Sequence, residues 1–254
     1  MAAVEFIFST QTIIIVGLGI LPPILWLLFW LREDHYPEPR REIVFVFLAG
    51  MVSVAAALLL ENMFLGTNTI FKKIFMYSAG TFQMLNLLGF ALIEELSKTG
   101  AAFFTAIKSK YFDEPEDGIV YLITAALGFA AMENVLFITG SLKIGVSQSL
   151  VVSAFRFINA VLLHVSSAAI IGAGFAFSFY HKTHRNKDVV FAILLATLLH
   201  ALYNYLIIKN IESVLGQFSA TILVVAGAVT ALILFEKARR LHKQNLSSQQ
   251  LMVQ

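Results

Sequence analysis

The sequence predicts an all-α fold, a polytopic bundle of about seven transmembrane helices. Its 254 residues are 58% hydrophobic and only 13% charged, with a mean hydropathy of +0.80. A typical soluble domain contains about 25% charged residues. A soluble fold of this length cannot bury so much apolar surface, so the lipid bilayer is the expected solvent. The apolar residues also occur in long runs separated by short polar loops, which is typical of membrane-spanning helices.

Seven runs are long enough to cross a bilayer, which requires about 20 mainly apolar residues. The fifth run exceeds one crossing, so we expect that helix to tilt or to project from the membrane. The loops are short and polar, such as REDHYPEPRRE (32–42) and KSKYFDEPED (108–117). We predict one integral membrane domain over 1–254, with a core at 10–236 and a polar tail at 237–254. In chain order, the predicted spans are 10–31, 43–65, 82–107, 118–139, 149–179, 189–208 and 213–235.

The distribution of Lys and Arg predicts the orientation of the chain, because cytoplasmic loops are enriched in these residues. Four basic residues flank the membrane on one side: Lys72, Lys73, Lys143 and Lys209. Twelve flank it on the other: Arg32, Arg40, Arg41, Lys108, Lys110, Lys182, Arg185, Lys187, Lys237, Arg239, Arg240 and Lys243. The N-terminus is therefore predicted outside and the C-terminus in the cytoplasm, in a multi-pass protein of the cell membrane.

Several function classes are excluded by residue content. The chain has no cysteine, which rules out disulfides, thiol nucleophiles and cysteine-bound metals. The basic residues are scattered between apolar runs and form no patch for nucleic acid. The zinc-protease motif HExxH is absent. All four aspartates fall in predicted loops, whereas an intramembrane aspartyl protease needs two within its spans.

Spans three to six carry ionisable and amide side chains inside their apolar runs. A charge at the bilayer centre costs about 2.5–3.5 kcal/mol on insertion scales, so such residues are usually paired or functional. Four adjacent spans with such groups indicate a site rather than incidental contacts between helices. The set is Glu94, Glu95 and Lys98 in span three, Glu133 and Asn134 in span four, Arg156 and His164 in span five, and His200 and Asn204 in span six.

Helical spacing predicts contacts within this set. Lys98 lies four residues after Glu94 and three after Glu95, so it can pair with either carboxylate. The two glutamates differ by about 100° around the helix axis, so one can face a cavity while the other braces a neighbouring helix. We hypothesise that the four spans converge on one site. Glu61, near the end of span two, is interpreted as interfacial.

This set contains the groups that peptide hydrolysis requires: a base for water, an oxyanion stabiliser and a proton donor for the leaving amine. Intramembrane carboxylates, histidines and arginines also occur in proton and ion pathways. A small ion-coupled transporter is therefore the alternative, although no inverted repeat is visible. A non-catalytic protein that binds membrane peptides is a further alternative.

The ordered motifs resemble those of the PrsW family of intramembrane proteases, which is similar to the CAAX prenyl endopeptidase superfamily. The resemblance covers about 30–205 and includes the loop DHYPEP (34–39). Where the CAAX pattern has a histidine four residues after the phenylalanine, this chain has Glu133. The motifs are Glu94-Glu95-x-x-Lys98, Gly128-Phe129-x-x-x-Glu133-Asn134, Arg156 followed by His164, and His200-x-x-x-Asn204.

The resemblance implies a role for each residue. Glu94 is implied as the base that activates water, braced by Glu95 against Lys98 or Arg156. His200 and Asn204 are implied as oxyanion stabilisers, and His164 as a replacement for the missing histidine. PrsW-like proteins are commonly described as metalloproteases, and Glu94, Glu133, His164 and His200 form a potential zinc set, although a metal-free route stays open. The implied substrate is a membrane-anchored protein, such as an anti-sigma factor.

Overall fold

The computed structural model describes residues 10–142, 145–180, 183, 185–209 and 214–252. Within these ranges the regular structure is helical, with seven long helices. The helices are α1 (Thr10–Trp30), α2 (Arg40–Phe75), α3 (Ala79–Ala102), α4 (Asp117–Leu142), α5 (Val146–Phe177), α6 (Arg185–Lys209) and α7 (Val214–Met252). The predicted all-α fold is confirmed.

Six of these seven helices are long and apolar enough to cross a membrane. The other, α3, falls outside that criterion, since it contains Glu94, Glu95 and Lys98. All three residues are buried within the bundle, where α3 packs against α2, α4 and α6. The outer surface carries many exposed large apolar side chains, as expected for helices that face lipid.

Several helix ends differ from the predicted spans. The second span was predicted to end at 65, but α2 continues to Phe75, and α7 extends through the predicted tail to Met252. Hydropathy detects apolar stretches, whereas a helix continues wherever its backbone stays hydrogen-bonded. A π-helical segment, Phe103–Ile107, extends α3 to the predicted end of span three. Positions 1–9, Lys143, Lys182, 213 and 253–254 lie outside the described residues.

Helices α4 and α5 form the centre of the bundle. Of their apolar windows, 78% and 89% is buried, compared with 22–33% for α1, α2, α6 and α7. The chain therefore places these two most buried helices inside, and the others pack around them. Glu133 and His164, carried by this central pair, face inward as a direct consequence.

Helices α2 and α4 approach each other at backbone distance. A Cβ added to Gly50 would lie 2.0 Å from the carbonyl oxygen of Ala125, and one added to Gly128 would lie 2.0 Å from that of Phe47. Small residues at membrane helix interfaces allow this close packing. The two glycines therefore set the separation between α2 and α4.

We expect Gly50→Ala to lower the thermal unfolding midpoint of the detergent-purified protein. The added methyl group meets backbone rather than a flexible side chain, so overpacking should cost at least about 1–3 kcal/mol. Gly66→Ala, in the same helix, is the matched control because a Cβ there has no neighbour within 4 Å. Equal midpoints for the two variants would contradict a packing role for Gly50.

Candidate active site

A cavity of about 1110 Å³ lies between α2, α3, α4, α5 and α6. Its wall is mostly apolar, and its polar groups come from the ionisable residues of these helices. Exposed apolar side chains, including Leu58, Phe137 and Val151, line part of it, so the cavity opens on the apolar surface of the bundle. The site residues on its wall are Glu94, Glu133, Arg156, His164, His200 and Asn204.

His200 is held by Glu95 and directed toward Glu94. Its Nδ1 lies 2.7 Å from Oε1 of Glu95, a carboxylate that is fully buried. An ionised carboxylate only accepts hydrogen bonds, so Nδ1 of His200 donates to Glu95 and Nε2 is the nitrogen directed toward Glu94. That Nε2 lies 3.6 Å from Oε2 of Glu94, which is buried and has no hydrogen-bond partner among the described residues. His200 thus presents Nε2 beside an unpartnered carboxylate oxygen.

Lys98 links Glu95, the residue that holds His200, to His164. Its ammonium is fully buried and donates to Oε1 of Glu95 at 2.7 Å and to Nδ1 of His164 at 3.1 Å. An ammonium group cannot accept a hydrogen bond, so Nδ1 of His164 is the acceptor and the proton of this imidazole is on Nε2. Nε2 then donates to Oε2 of Glu133 at 2.9 Å. The tautomer of His164 therefore follows from the two groups that flank it.

Arg156 forms the last contacts of the hydrogen-bonded network that runs from Glu95 to Glu133. It donates from Nη2 to Oε2 of Glu133 at 2.7 Å and from Nε to Oδ1 of Asn134 at 2.6 Å. Its guanidinium also lies over the ring of Phe137, 4.1 Å from the centroid. Glu133 therefore accepts from both Arg156 and His164, and its negative charge is compensated on the cavity wall.

The structure brings the nine candidate residues to one place. Glu94 lines the cavity while Glu95 braces α6, as their angular offset predicts. Lys98, rather than Arg156, is the partner of Glu95, whereas Arg156 pairs with Glu133. Asn204 lies on the cavity wall, one turn after His200.

Sequence reasoning did not assign Glu61 to the site and interpreted it as interfacial. In the structure it lies fourteen residues before the end of α2 and lines the cavity. Its acidic side chain within a long apolar helix was the available signal. Tyr203 also lines the cavity and carries no such signal, since tyrosine is common in membrane helices.

The donor set fits a zinc ion. One ligand atom from each of Glu94, His164 and His200 lies within 4.8 Å of the others. Two imidazoles and a carboxylate are a common zinc set in catalytic sites. Oε2 of Glu94 has no hydrogen-bond partner among the described residues, and Glu95 orients His200 as the outer carboxylate that usually supports such a ligand. Both nitrogens of His164 are engaged, Nδ1 by Lys98 and Nε2 by Glu133, so His164 would bind a metal through Nδ1 after Lys98 moves away, with Glu133 as its outer carboxylate.

Glu133, the fourth member of the predicted zinc set, is not in this close group. Both of its observed partners, Arg156 and His164, bind the same oxygen, Oε2. Among the described residues, Glu133 therefore acts as the support of His164 rather than as a fourth close donor.

Comparison with known proteins agrees with these observations. The family model described as PrsW family intramembrane metalloprotease matches residues 38–234. "Protease PrsW" of Clostridioides difficile strain 630 is 31% identical over 191 residues, which cover 73% of this chain and 76% of the relative. "Protease PrsW" of Bacillus subtilis strain 168 is 28% identical over 199 residues, covering 76% and 82%. No solved structure gives a significant match. The chain therefore belongs to the PrsW family of intramembrane metalloproteases.

Proposed function

We propose that this protein hydrolyses a peptide bond of a membrane-anchored protein, as a single membrane domain in the cell membrane. One observation carries the proposal. Nε2 of His200 faces Oε2 of Glu94 at 3.6 Å, an oxygen without a hydrogen-bond partner among the described residues, in a cavity that opens on the apolar surface. A transporter has no comparable support, since the family to which the chain belongs is one of proteases.

In the metal-free route, Glu94 is the proposed base. Its free oxygen can accept a proton from a water molecule in the cavity, and the conjugate acid can then pass that proton to the leaving amine. Glu95 is the proposed positioning residue, because it fixes the ring of His200 through Nδ1. Lys98 supports this arrangement by compensating the charge of Glu95.

Glu94, His200 and His164 are the residues proposed to hold zinc. A zinc ion there would polarise the scissile carbonyl and make its bound water a better nucleophile. In a metal-free route, Glu94 alone activates the water, and the donors of the cavity wall carry the remaining stabilisation.

Asn204 and Arg156 are the proposed donors to the developing oxyanion. Both lie on the cavity wall, Arg156 on α5 and Asn204 on α6. Amide and guanidinium N–H groups stabilise negative charge most strongly where water is excluded, as in a largely apolar cavity. Arg156 is already positioned by Glu133 and Asn134, so little reorganisation is required.

The proposed substrate enters from the lipid. The exposed apolar side chains at the mouth, such as Leu58, Leu136 and Phe137, suit a hydrophobic segment of an anchored protein. A segment that unfolds locally there would place its peptide carbonyl beside Glu94. An anti-sigma factor is the substrate class that the family resemblance favours.

Metal analysis of the detergent-purified protein tests the zinc site. We expect near-stoichiometric zinc in the wild type and loss of zinc in both Glu94→Gln and His200→Ala. His242→Ala is the matched control, because this histidine contacts Tyr180 and Tyr36 away from the cavity. Well-folded wild type without metal would instead support the metal-free route. Equal zinc in all variants would contradict the proposed ligands.

A further inference from the structure

Two loops on the predicted cytoplasmic side bring four carboxylates together outside the membrane site. Glu38 comes from the loop between α1 and α2, and Asp113, Glu114 and Asp117 come from the segment that leads into α4. One oxygen from each carboxylate lies within 4.8 Å of one from every other. We call these four residues the loop carboxylate cluster.

No cation compensates this cluster among the described residues. None of the ion pairs formed by the described residues involves a member of the loop carboxylate cluster. Of the nearby lysines, Lys108 lies over the ring of Phe103 at 4.6 Å, and Lys110 lies over that of Tyr111 at 5.0 Å. Four acidic groups therefore share a small volume without an ion pair to the described part of the chain.

Asp117 provides a second, independent observation. The residue is completely buried, and its Oδ2 accepts the backbone N–H groups of Asp113 at 2.9 Å and Glu114 at 2.7 Å. Its Oδ1 is buried and has no hydrogen-bond partner in the described part of the chain. A buried, donor-free carboxylate oxygen is costly unless it is bound to a proton or a cation.

The carboxylates also meet in pairs. Asp117 lies beside Glu38, and Asp113 beside Glu114, each with a carboxylate oxygen within 4.8 Å of the other. Like charges this close repel unless a proton or a cation lies between them. The hydroxyl of Tyr121 donates to Glu38, which orients that side chain toward the cluster.

We propose that Glu38, Asp113, Glu114 and Asp117 bind a hard divalent cation, of the Ca²⁺ and Mg²⁺ class. Their donors are all oxygen, which these ions prefer, whereas the membrane site combines imidazole with carboxylate and suits zinc. The bound cation would join the loop after α1 to the start of α4, the helix that carries Glu133. This proposal stands apart from the proteolytic function, since it involves none of the cavity residues.

Terbium luminescence tests the proposal on the full-length, detergent-purified protein after treatment with EDTA. Tyr111 and Tyr121 lie beside the cluster and can sensitise Tb³⁺ bound there. We expect a saturable signal from the wild type that Ca²⁺ or Mg²⁺ displaces, and the more effective ion identifies the preferred cation. Zn²⁺ should displace Tb³⁺ less effectively than both.

Two variants and a control decide the location of the site. Asp117→Asn keeps an oxygen for the two backbone N–H groups, and Glu38→Gln keeps an acceptor for Tyr121. We expect each to weaken Tb³⁺ binding at least about tenfold, as loss of a supporting group does at other metal sites. Asp188→Asn, an exposed carboxylate in the first turn of α6, should bind as the wild type does.

The same titration on His200→Ala separates this site from the membrane site. An unchanged signal there supports an independent cation site whether or not the protein cleaves its substrate. A wild-type signal that neither Ca²⁺ nor Mg²⁺ displaces would overturn the proposal. So would binding that survives in both Asp117→Asn and Glu38→Gln, each checked for folding by its unfolding midpoint in EDTA.

Discussion

Glu94→Gln is expected to abolish cleavage of a membrane-anchored substrate while the protein remains folded. The amide keeps the size of the side chain but cannot accept a proton from water. Removal of a general base typically costs about 10²–10⁴-fold in rate. Because Oε2 of Glu94 has no hydrogen-bond donor, no partner is left unsatisfied, and stability should hardly change. The measurement is product formation in liposomes without an ion gradient, next to the thermal unfolding midpoint.

Glu61→Gln is the matched control for this prediction. Glu61 lines the same cavity and loses the same charge, but no ion pair joins it to His200 among the described residues. We expect this variant to retain most of the cleavage activity. If both variants lost activity equally, the overall charge of the cavity, rather than a base at Glu94, would explain the result. If cleavage required an ion gradient, the alternative function as a transporter would have to be tested again.

Lys98→Met is expected to destabilise the protein strongly and to abolish cleavage. Lys98 and Glu95 are both fully buried, so the substitution leaves an uncompensated carboxylate inside the bundle. Breaking a buried ion pair in this way typically costs about 3–5 kcal/mol. His164 also loses the donor that fixes its Nδ1. The unfolding midpoint and the cleavage rate should therefore both fall.

The double variant Glu95→Gln/Lys98→Met separates charge from packing. It removes both charges and retains an acceptor for Nδ1 of His200, so much of the stability should return while activity stays low. A double variant as unstable as Lys98→Met would show that lost packing dominates. Full cleavage by Lys98→Met would exclude Lys98 from the chemistry.

The number and order of the helices could be predicted from hydropathy. Within a bilayer, a single apolar run can make all its backbone hydrogen bonds only by forming a helix. The contact between Glu95 and Lys98 could also be predicted, since both lie on one helix with fixed geometry. The same geometry separates Glu94 from Glu95, so that one faces the cavity and the other is fully buried. The motifs shared with the family identified these residues but not the side chains that they contact.

Contacts between helices were decided by packing. Nothing in the spacing of Glu133, Arg156 and His164 indicates that the first binds the other two, because Glu133 lies on α4 and the other two lie on α5. The rotation and depth of each helix depend on close approaches such as that of Gly50 to Ala125. The loop carboxylate cluster is likewise a product of the fold, because Glu38 lies about 75 residues before the other three members. Local spacing follows from covalent geometry, whereas the meeting of distant side chains depends on how the whole bundle packs.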